Sequence, residues 1–327
     1  DASLLAVLGA PTASRGAAAA TAREHRDGAA AVRRAAAEAA KDVTAACEKV
    51  VMVFGFGGCA DVGDDAGLSV FGAVEKALGV LVAVSSGATI NAGEALLAGV
   101  RAAVGAVAHA ACDVVDAASR ASVLARAGEA DAAAAIKLAP MAGVVAQRAA
   151  ELEKAAFTNC AACGRAVAKR AREAKAAAEE LREMMSEAQQ ALAEGGGSEG
   201  GRADADVCAD DSDYDDALEL DSMNAAELAV ARAAAPAVQC ALDALKACVR
   251  ACIGAAHDER DSLEALLAAA NATARSAEEL VAALYAPQDH EEVSTASAAL
   301  RAAGMPLHAA TAAVRQADRP EQGAAPA

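Results

Sequence analysis

Thiols and carboxylates are the residue types in this chain whose spacing could support chemistry. Cys160-x-x-Cys163 has the spacing of half a structural zinc site. Zinc would need two further ligands, and no His stands near the pair in sequence. Both sulfurs fall in step with apolar neighbours, where free Cys packs as a small hydrophobe. Core packing is the preferred reading. Cys240, Cys248 and Cys252 recur at spacings of eight and four, which reads as one helical face, and His257 follows five residues on. A Cys/His site is conceivable there, but core cysteines beside a surface His account for the pattern.

Asp211-x-Asp213-x-Asp215 has the alternation of half a calcium loop. Its sixth position is Asp216 where the loop needs Gly, and its twelfth is Ser222 where it needs Glu, so a tight site is not expected. Gly55-Phe56-Gly57-Gly58 lacks the Lys-Ser/Thr of a phosphate loop and reads as a turn. The five His (25, 109, 257, 290, 308) are scattered, and no Glu-x-x-His stands anywhere. No nucleophile, base or ligand set can be singled out. The expectation is a non-enzymatic protein with no cofactor and no metal.

What remains of the charged residues is a strongly biased segment. Glu194 to Asp221 holds eleven acids against one base, Arg202, and so carries −10 of the chain's net −17. It has no periodicity, and Gly195-Gly196-Gly197 opens it, so it reads as a flexible solvated loop. Two functional readings stand beside that one. Asp210, Asp211, Asp213, Asp215 and Asp216 could steer a basic partner electrostatically. Ser212, followed by Asp213, Tyr214 and Asp215, has the context of an acid-directed kinase site.

Composition says what kind of protein must position these residues. Of 327 residues 104 are Ala, with only 7 Pro and 25 Gly, which makes helix the default. Hydrophobic residues at 55% and charged residues at 23% are globular values, so wholesale disorder is not expected. Aromatics are 2% with no Trp, so the core must be Ala, Val and Leu at close helix–helix distance. A pI near 4.7 argues against direct nucleic-acid binding, which needs cations at the phosphates. Nine Cys is an odd count in a chain too long to need disulfide staples, which points to a reducing compartment. No run of 18 apolar residues exists, so no membrane span is expected. The chain begins at Asp1 without Met, which leaves room for a removed targeting segment.

Periodicity supplies the elements. Residues 1–16 are weakly patterned and read as loose. Helices are expected over about 17–54 and 68–84, and Asn91 with Glu94 has the form of a capping box opening a third. Its stripe is Leu96, Leu97, Val100, Val104, Val107, Val114 and Val115. From Leu152 to Leu192 a narrow seam runs through Cys160, Cys163, Val167, Ala174, Ala178, Leu181, Met185 and Ala188, with a densely charged outer face. Phe157-Thr158-Asn159 can break it, with Thr158 or Asn159 as the cap. Asn224 with Glu227 is a further capping box, flanked by Met223 and Leu228 as a staple. That helix reaches about Ile253 through Pro236, and another follows through Leu263 and Leu266. Ser276 with Glu279 restarts the pattern, and Tyr285-Ala286-Pro287 stops it. The last helix, about 291–315, is interrupted at Gly304-Met305-Pro306, and the tail from 317 reads as disordered. No strand-period run appears. The architecture expected is an all-α antiparallel bundle of long Ala-rich helices, vinculin- or talin-like, divided as 17–193, an acidic loop 194–221, and C-terminal helices 222–316 packing on the bundle.

The order of these pieces carries a resemblance. Phe71-Gly72-Ala73-Val74 leads through a turn at Ser85 to Asn91. A charged helix ends in Glu183-Met184-Met185-Ser186-Glu187, and an acidic insert follows. Then come Pro236, Leu245-Lys246-Ala247-Cys248, Ser276-Ala277-Glu278-Glu279-Leu280 and Leu284-Tyr285-Ala286-Pro287. From about Lys41 to Arg315 this resembles the cyclin-D-binding protein family, helix–loop–helix-like proteins without a basic region. The resemblance implies an all-helical adaptor of cytoplasm and nucleus that binds a D-type cyclin or related regulator and restrains cell-cycle progression. The chain departs from the family in having few aromatics, no Trp and no clean Leu heptad. The alternative reading is a structural subunit or scaffold of a large assembly.

Overall fold

A computed structural model describes residues 15–55, 64–195, 223–255 and 258–317. The expectations for residues 1–14, for Phe56, Gly57 and Gly58, for the acidic segment from Gly196 to Ser222, for His257 and for the tail after Ala317 lie outside them. Among the described residues every regular element is a helix, as the composition requires. The fold is an all-α helical bundle.

The chain divides into two compact units. The first holds the described residues within Asp1–Cys163 and Ala256–Leu263; the second holds those within Gly164–Ala255 and Glu264–Ala317. In the first, α1 (Arg15–Gly55), α2 (Asp64–Gly87), α3 (Glu94–Arg126), α4 (Ala130–Ala135) and α5 (Leu138–Glu153) pack together, α1 lying against α2, α3 and α5. Its core is small-residue packing. Ala36, Ala40, Val43, Cys47 and Val50 of α1 are buried with Val107, Ala111, Val114 and Ala118 of α3 and Val145 and Leu152 of α5. Phe54 stacks on Phe71 with ring centroids 5.2 Å apart, tying the end of α1 to α2. The expected stripe of α3 holds at Leu96, Val100, Val107 and Val114, and buried Ala110, Ala117 and Ala121 complete it.

The second unit contains most of α6 (Asn159–Gly195), α7 (Ala225–Gly254), most of α8 (Arg260–Ala283) and α9 (His290–Ala317), with α7 packed on α9. The α6 seam is buried at Cys160, Cys163, Val167, Ala174, Ala178, Leu181 and Ala188, whereas Leu192 is exposed. The break ahead of it falls where expected, between Glu153 and Asn159. Residues 130–153, for which periodicity gave no element, form α4 and α5. Pro140 is tolerated in the first turn of α5, where a backbone N–H has no helical partner.

Three local expectations are corrected. Asn91 does not cap α3. It takes a left-handed φ of 59°, which Asn adopts more readily than other side-chain-bearing residues, and Gly93 is the N-cap. Ser276 starts nothing: α8 runs unbroken through it, and Ser276 is buried against the unit's interior. Gly304 and Pro306 lie inside α9 without interrupting it. Packing outweighs the missing Pro306 N–H there, and buried Thr273 of α8 lies 3.1 Å from the Ala303 carbonyl beside the one Pro306 leaves without a helical donor. Among the described residues three helices are also long and apolar enough to cross a membrane, by length and composition alone: Asp65–Gly87, Glu94–Arg126 and Ala225–Ile253. None of them is an unbroken apolar run: single charges and small polar residues interrupt each one without lowering its mean hydropathy below 1.3.

Candidate interaction surface

The thiols come first. Cys160 and Cys163 are both buried in the first turns of α6, and the Cys163 thiol donates to the Leu263 carbonyl at 3.4 Å. They sit on the seam as the packing reading expects. Among the described residues no group of three or more His, Cys, Asp or Glu side chains converges to hold a metal ion. The other trio is split. Cys248 and Cys252 are buried, but Cys240 is exposed. Eight residues at 100° each leave Cys240 about 80° around the helix from Cys248, so the three do not share one face. Burial pushes the Cys47 thiol up to about 11 and raises that of Cys248 as well. Both are held as thiols, and Cys248 is in hydrogen-bond contact with Thr311 Oγ1 at 2.9 Å.

The N-terminus of α6 is built from residues far apart in sequence. Thr158 Oγ1 accepts the Ala161 N–H at 3.2 Å, the ordinary side-chain cap. The Asn159 N–H donates to Asp258 Oδ2 at 2.9 Å, and the Cys160 N–H donates to Asp258 Oδ1. One carboxylate therefore takes the first two orphan donors of the helix, at the end where the dipole favours a negative charge. Asn159 faces the other way with its side chain, accepting the Gly93 N–H at 2.7 Å and donating to the Asn91 carbonyl at 3.2 Å. This node ties together the turn before α3, the start of α6 and the segment before α8. Its role is structural, since both Asp258 carboxylate oxygens and the Asn159 side-chain amide are engaged within the fold.

In the second unit a second node does similar work. Asn224 accepts the Ala226 and Glu227 N–H groups, and Glu227 accepts the Asn224 N–H at 2.9 Å, which is the expected capping box. Met223 and Leu228, the expected staple, are both buried. The other Glu227 oxygen accepts the Gln288 N–H at 3.0 Å, and these backbone donors hold the carboxyl below its usual range. The Tyr285 O–H donates to Glu180, and that bond pushes the phenol up to about 12.

An open cleft lies between α6 and α7. A cleft of about 320 Å³ is lined by Ala178, Leu181, Arg182 and Met185 from α6 and by Arg232, Ala235, Pro236, Val238 and Gln239 from α7. Leu181 and Val238 form its floor, each 1% exposed. Arg182 donates to Gln239 Oε1 at 3.2 Å, and Arg232 donates to Gln189 Oε1 at 2.9 Å. Neither guanidinium has a carboxylate partner among the described residues. The amide oxygens orient the two cations without neutralising them. Pro236 lies inside α7 and cannot donate to the Arg232 carbonyl one turn earlier. A second, mostly apolar cleft of about 220 Å³ separates α7 from α9, with exposed Cys240, Met305 and His308 at its edge. Periodicity alone did not mark either cleft, although Pro236 and the two arginines were legible as residues.

Asp210, Asp211, Ser212, Asp213, Asp215 and Asp216 lie outside the described residues, so the structure places none of them. In the first unit apolar side chains are left in the open on α2 and next to it: Leu68 is 69% exposed and Ile90 76%, with Val80 and Val82 about half exposed.

Fold and surface together define an all-helical protein with apolar clefts between its helices. Residues 35–187 match the family model described as "Grap2 and cyclin-D-interacting, N-terminal". This part of the chain, somewhat under half of its length, is similar to the cyclin-D-interacting family, and the match runs from the middle of α1 into α6. No curated protein matches the chain.

Proposed function

We propose that the protein is a non-enzymatic helical adaptor that binds a D-type cyclin or a related regulator and thereby restrains cell-cycle progression, in cytoplasm and nucleus. The observation that carries this reading is the family match over residues 35–187, whose description names cyclin D and Grap2 as what such proteins interact with. The structure offers supporting chemistry. Apolar clefts between helices receive apolar side chains of a partner, and burial disfavours the thiolate form of Cys47 and Cys248. The overall charge of −17 keeps the adaptor off nucleic acid, so it acts by occupying partners. The acidic segment contributes by steering basic surfaces, and phosphorylation at Ser212 would add charge to it.

The test is calorimetric titration of a purified D-type cyclin, alone and with its kinase, into the purified chain. Saturable one-to-one binding supports the adaptor. Absence of binding to both forms removes the cyclin from the reading.

A second reading, a structural subunit of a larger assembly, is favoured by the exposed Leu68 and Val82 of α2, which lie about 40° apart around the helix and have no cover among the described residues. Light scattering on the isolated chain separates the two. A well-behaved monomer favours the adaptor, and concentration-dependent association through α2 favours the subunit.

A further inference from the structure

We propose that the α6–α7 cleft over Pro236 receives two turns of an amphipathic helix from a protein partner, with apolar side chains on the cleft floor and acidic side chains against Arg182 and Arg232. This rests on the adaptor reading and names the chemistry of the partner at one site.

The floor determines the apolar half of the partner. Ala178, Leu181, Ala235, Pro236 and Val238 offer no donor or acceptor from their side chains, and Met185 at the edge can adjust its thioether chain to the shape of what enters. Ala178 to Met185 and Arg232 to Gln239 each span eight residues, about 10 Å along a helix axis, which matches two turns of a third helix laid between them. The volume of about 320 Å³ is at the small end of binding clefts, enough for anchors spaced i and i+4 on one partner face.

The rim determines the charged half. In a chain of net charge −17, two arginines on the same cleft without a carboxylate partner among the described residues are against the general balance. Their forks are already oriented by Gln239 and Gln189, so little side-chain entropy remains to be lost when a carboxylate arrives. Glu179 and Asp243, acids close to the cleft residues in sequence, are directed elsewhere, to Lys175 and to Lys246 and Gln239. A basic partner would meet two cations, and a wholly apolar one would leave both rims unused. An acidic amphipathic helix satisfies floor and rim together.

The experiment is fluorescence anisotropy of a labelled synthetic peptide of about 18 residues, long enough to form a helix, with Leu at i, i+4 and i+7 and Glu flanking them. It is titrated with the intact chain. Binding that weakens with added salt is expected, together with a loss of about tenfold or more for Arg182→Glu/Arg232→Glu and a smaller loss for Arg182→Gln/Arg232→Gln. The Gln pair keeps the result interpretable if charge reversal disturbs folding, which circular dichroism checks. Equal binding of a peptide with Lys in place of Glu would overturn the proposal. So would binding seen only after removal of residues 197–221, which would make the chain's own acidic segment the occupant, or salt-sensitive dimerisation abolished by the reversal, which would make it a second copy. The same variants, titrated with a D-type cyclin, separate the two readings. Undiminished cyclin binding by the reversed pair removes the cleft and leaves the adaptor; peptide binding without cyclin binding does the opposite.

Discussion

The carboxylate of Asp258 accepts the backbone N–H groups of both Asn159 and Cys160, capping α6 from a position 98 residues further along the chain. With Thr158 serving Ala161, the first three orphan donors of the helix are all satisfied. A charge-assisted bond to a helix N-terminus contributes more than a neutral one, because the dipole and the hydrogen bonds favour the same anion. Asp258→Ala is expected to lower stability by about 1–3 kcal/mol, with Asp258→Asn in between. Asn159→Ala removes the partner of the Gly93 N–H and should cost about as much. Thermal unfolding followed by circular dichroism checks both, and an unchanged midpoint would show that the node is not needed.

Glu227 gives a pH dependence with a definite sign. Its carboxyl is held below the ordinary value by the Gln288 and Asn224 N–H groups, so the folded state prefers it ionised. A depressed value means its contribution is complete above the unfolded value near 4.5 and is lost as pH falls through the lower folded one. Between pH 6 and pH 3 the midpoint of the native chain should therefore fall more steeply than that of Glu227→Ala. Parallel profiles would show that the carboxylate contributes nothing specific.

Thiol reactivity should sort by placement. In a chain with Cys59 and Cys208 replaced by Ser, two thiols, those of Cys112 and Cys240, are exposed and should react with an aromatic disulfide reagent in the native state. Cys47 and Cys248, buried and with raised values, should react only on unfolding. Native reactivity of Cys248 would overturn its placement against Thr311.

Glycines in two helices should respond with opposite signs. A Cβ at Gly164 would stand 3.1 Å from Cys252 Cβ, so Gly164→Ala must push α6 and α7 apart and should destabilise despite the gain in helix propensity. At Gly72 and Gly79 of α2 a Cβ meets nothing within 4 Å, and each Ala should stabilise by about 0.5–1 kcal/mol. Denaturant midpoints measure all three. A stabilised Gly164→Ala would mean that the helices yield easily there.

The three membrane-length apolar helices can be tested directly. Under the adaptor reading the protein should stay at the bottom of a density gradient with vesicles of neutral or anionic lipid. Flotation with the vesicles would assign Asp65–Gly87, Glu94–Arg126 or Ala225–Ile253 to a bilayer.

How much of this could be read from the sequence follows from the range of each interaction. Helical class, the α6 seam and the capping box at Asn224 are local: propensity, a 3.6-residue period and a three-residue spacing suffice, and all are observed. The Cys160 and Cys163 packing was legible because both fall in the seam. Exposure of Cys240 was not, since one helix's periodicity does not say which arc its neighbours cover. Asn91 had the form of a cap, yet Asn159 claims the Gly93 N–H from across the fold, and the backbone turns left-handed instead. Ala-rich helices also conceal their own contacts, because Ala is equally at home buried or exposed, and α4 and α5 went unread for that reason.

What the sequence by itself determined is the class of fold, most helix positions, the excess of negative charge and the family likeness. What only tertiary structure decided is which distant groups meet: Asp258 with Asn159, Glu227 with Gln288, and Arg182 and Arg232 across one apolar cleft. Hydrogen-bond geometry and side-chain burial depend on separations of a few ångströms between residues far apart in the chain, and no local pattern encodes those distances.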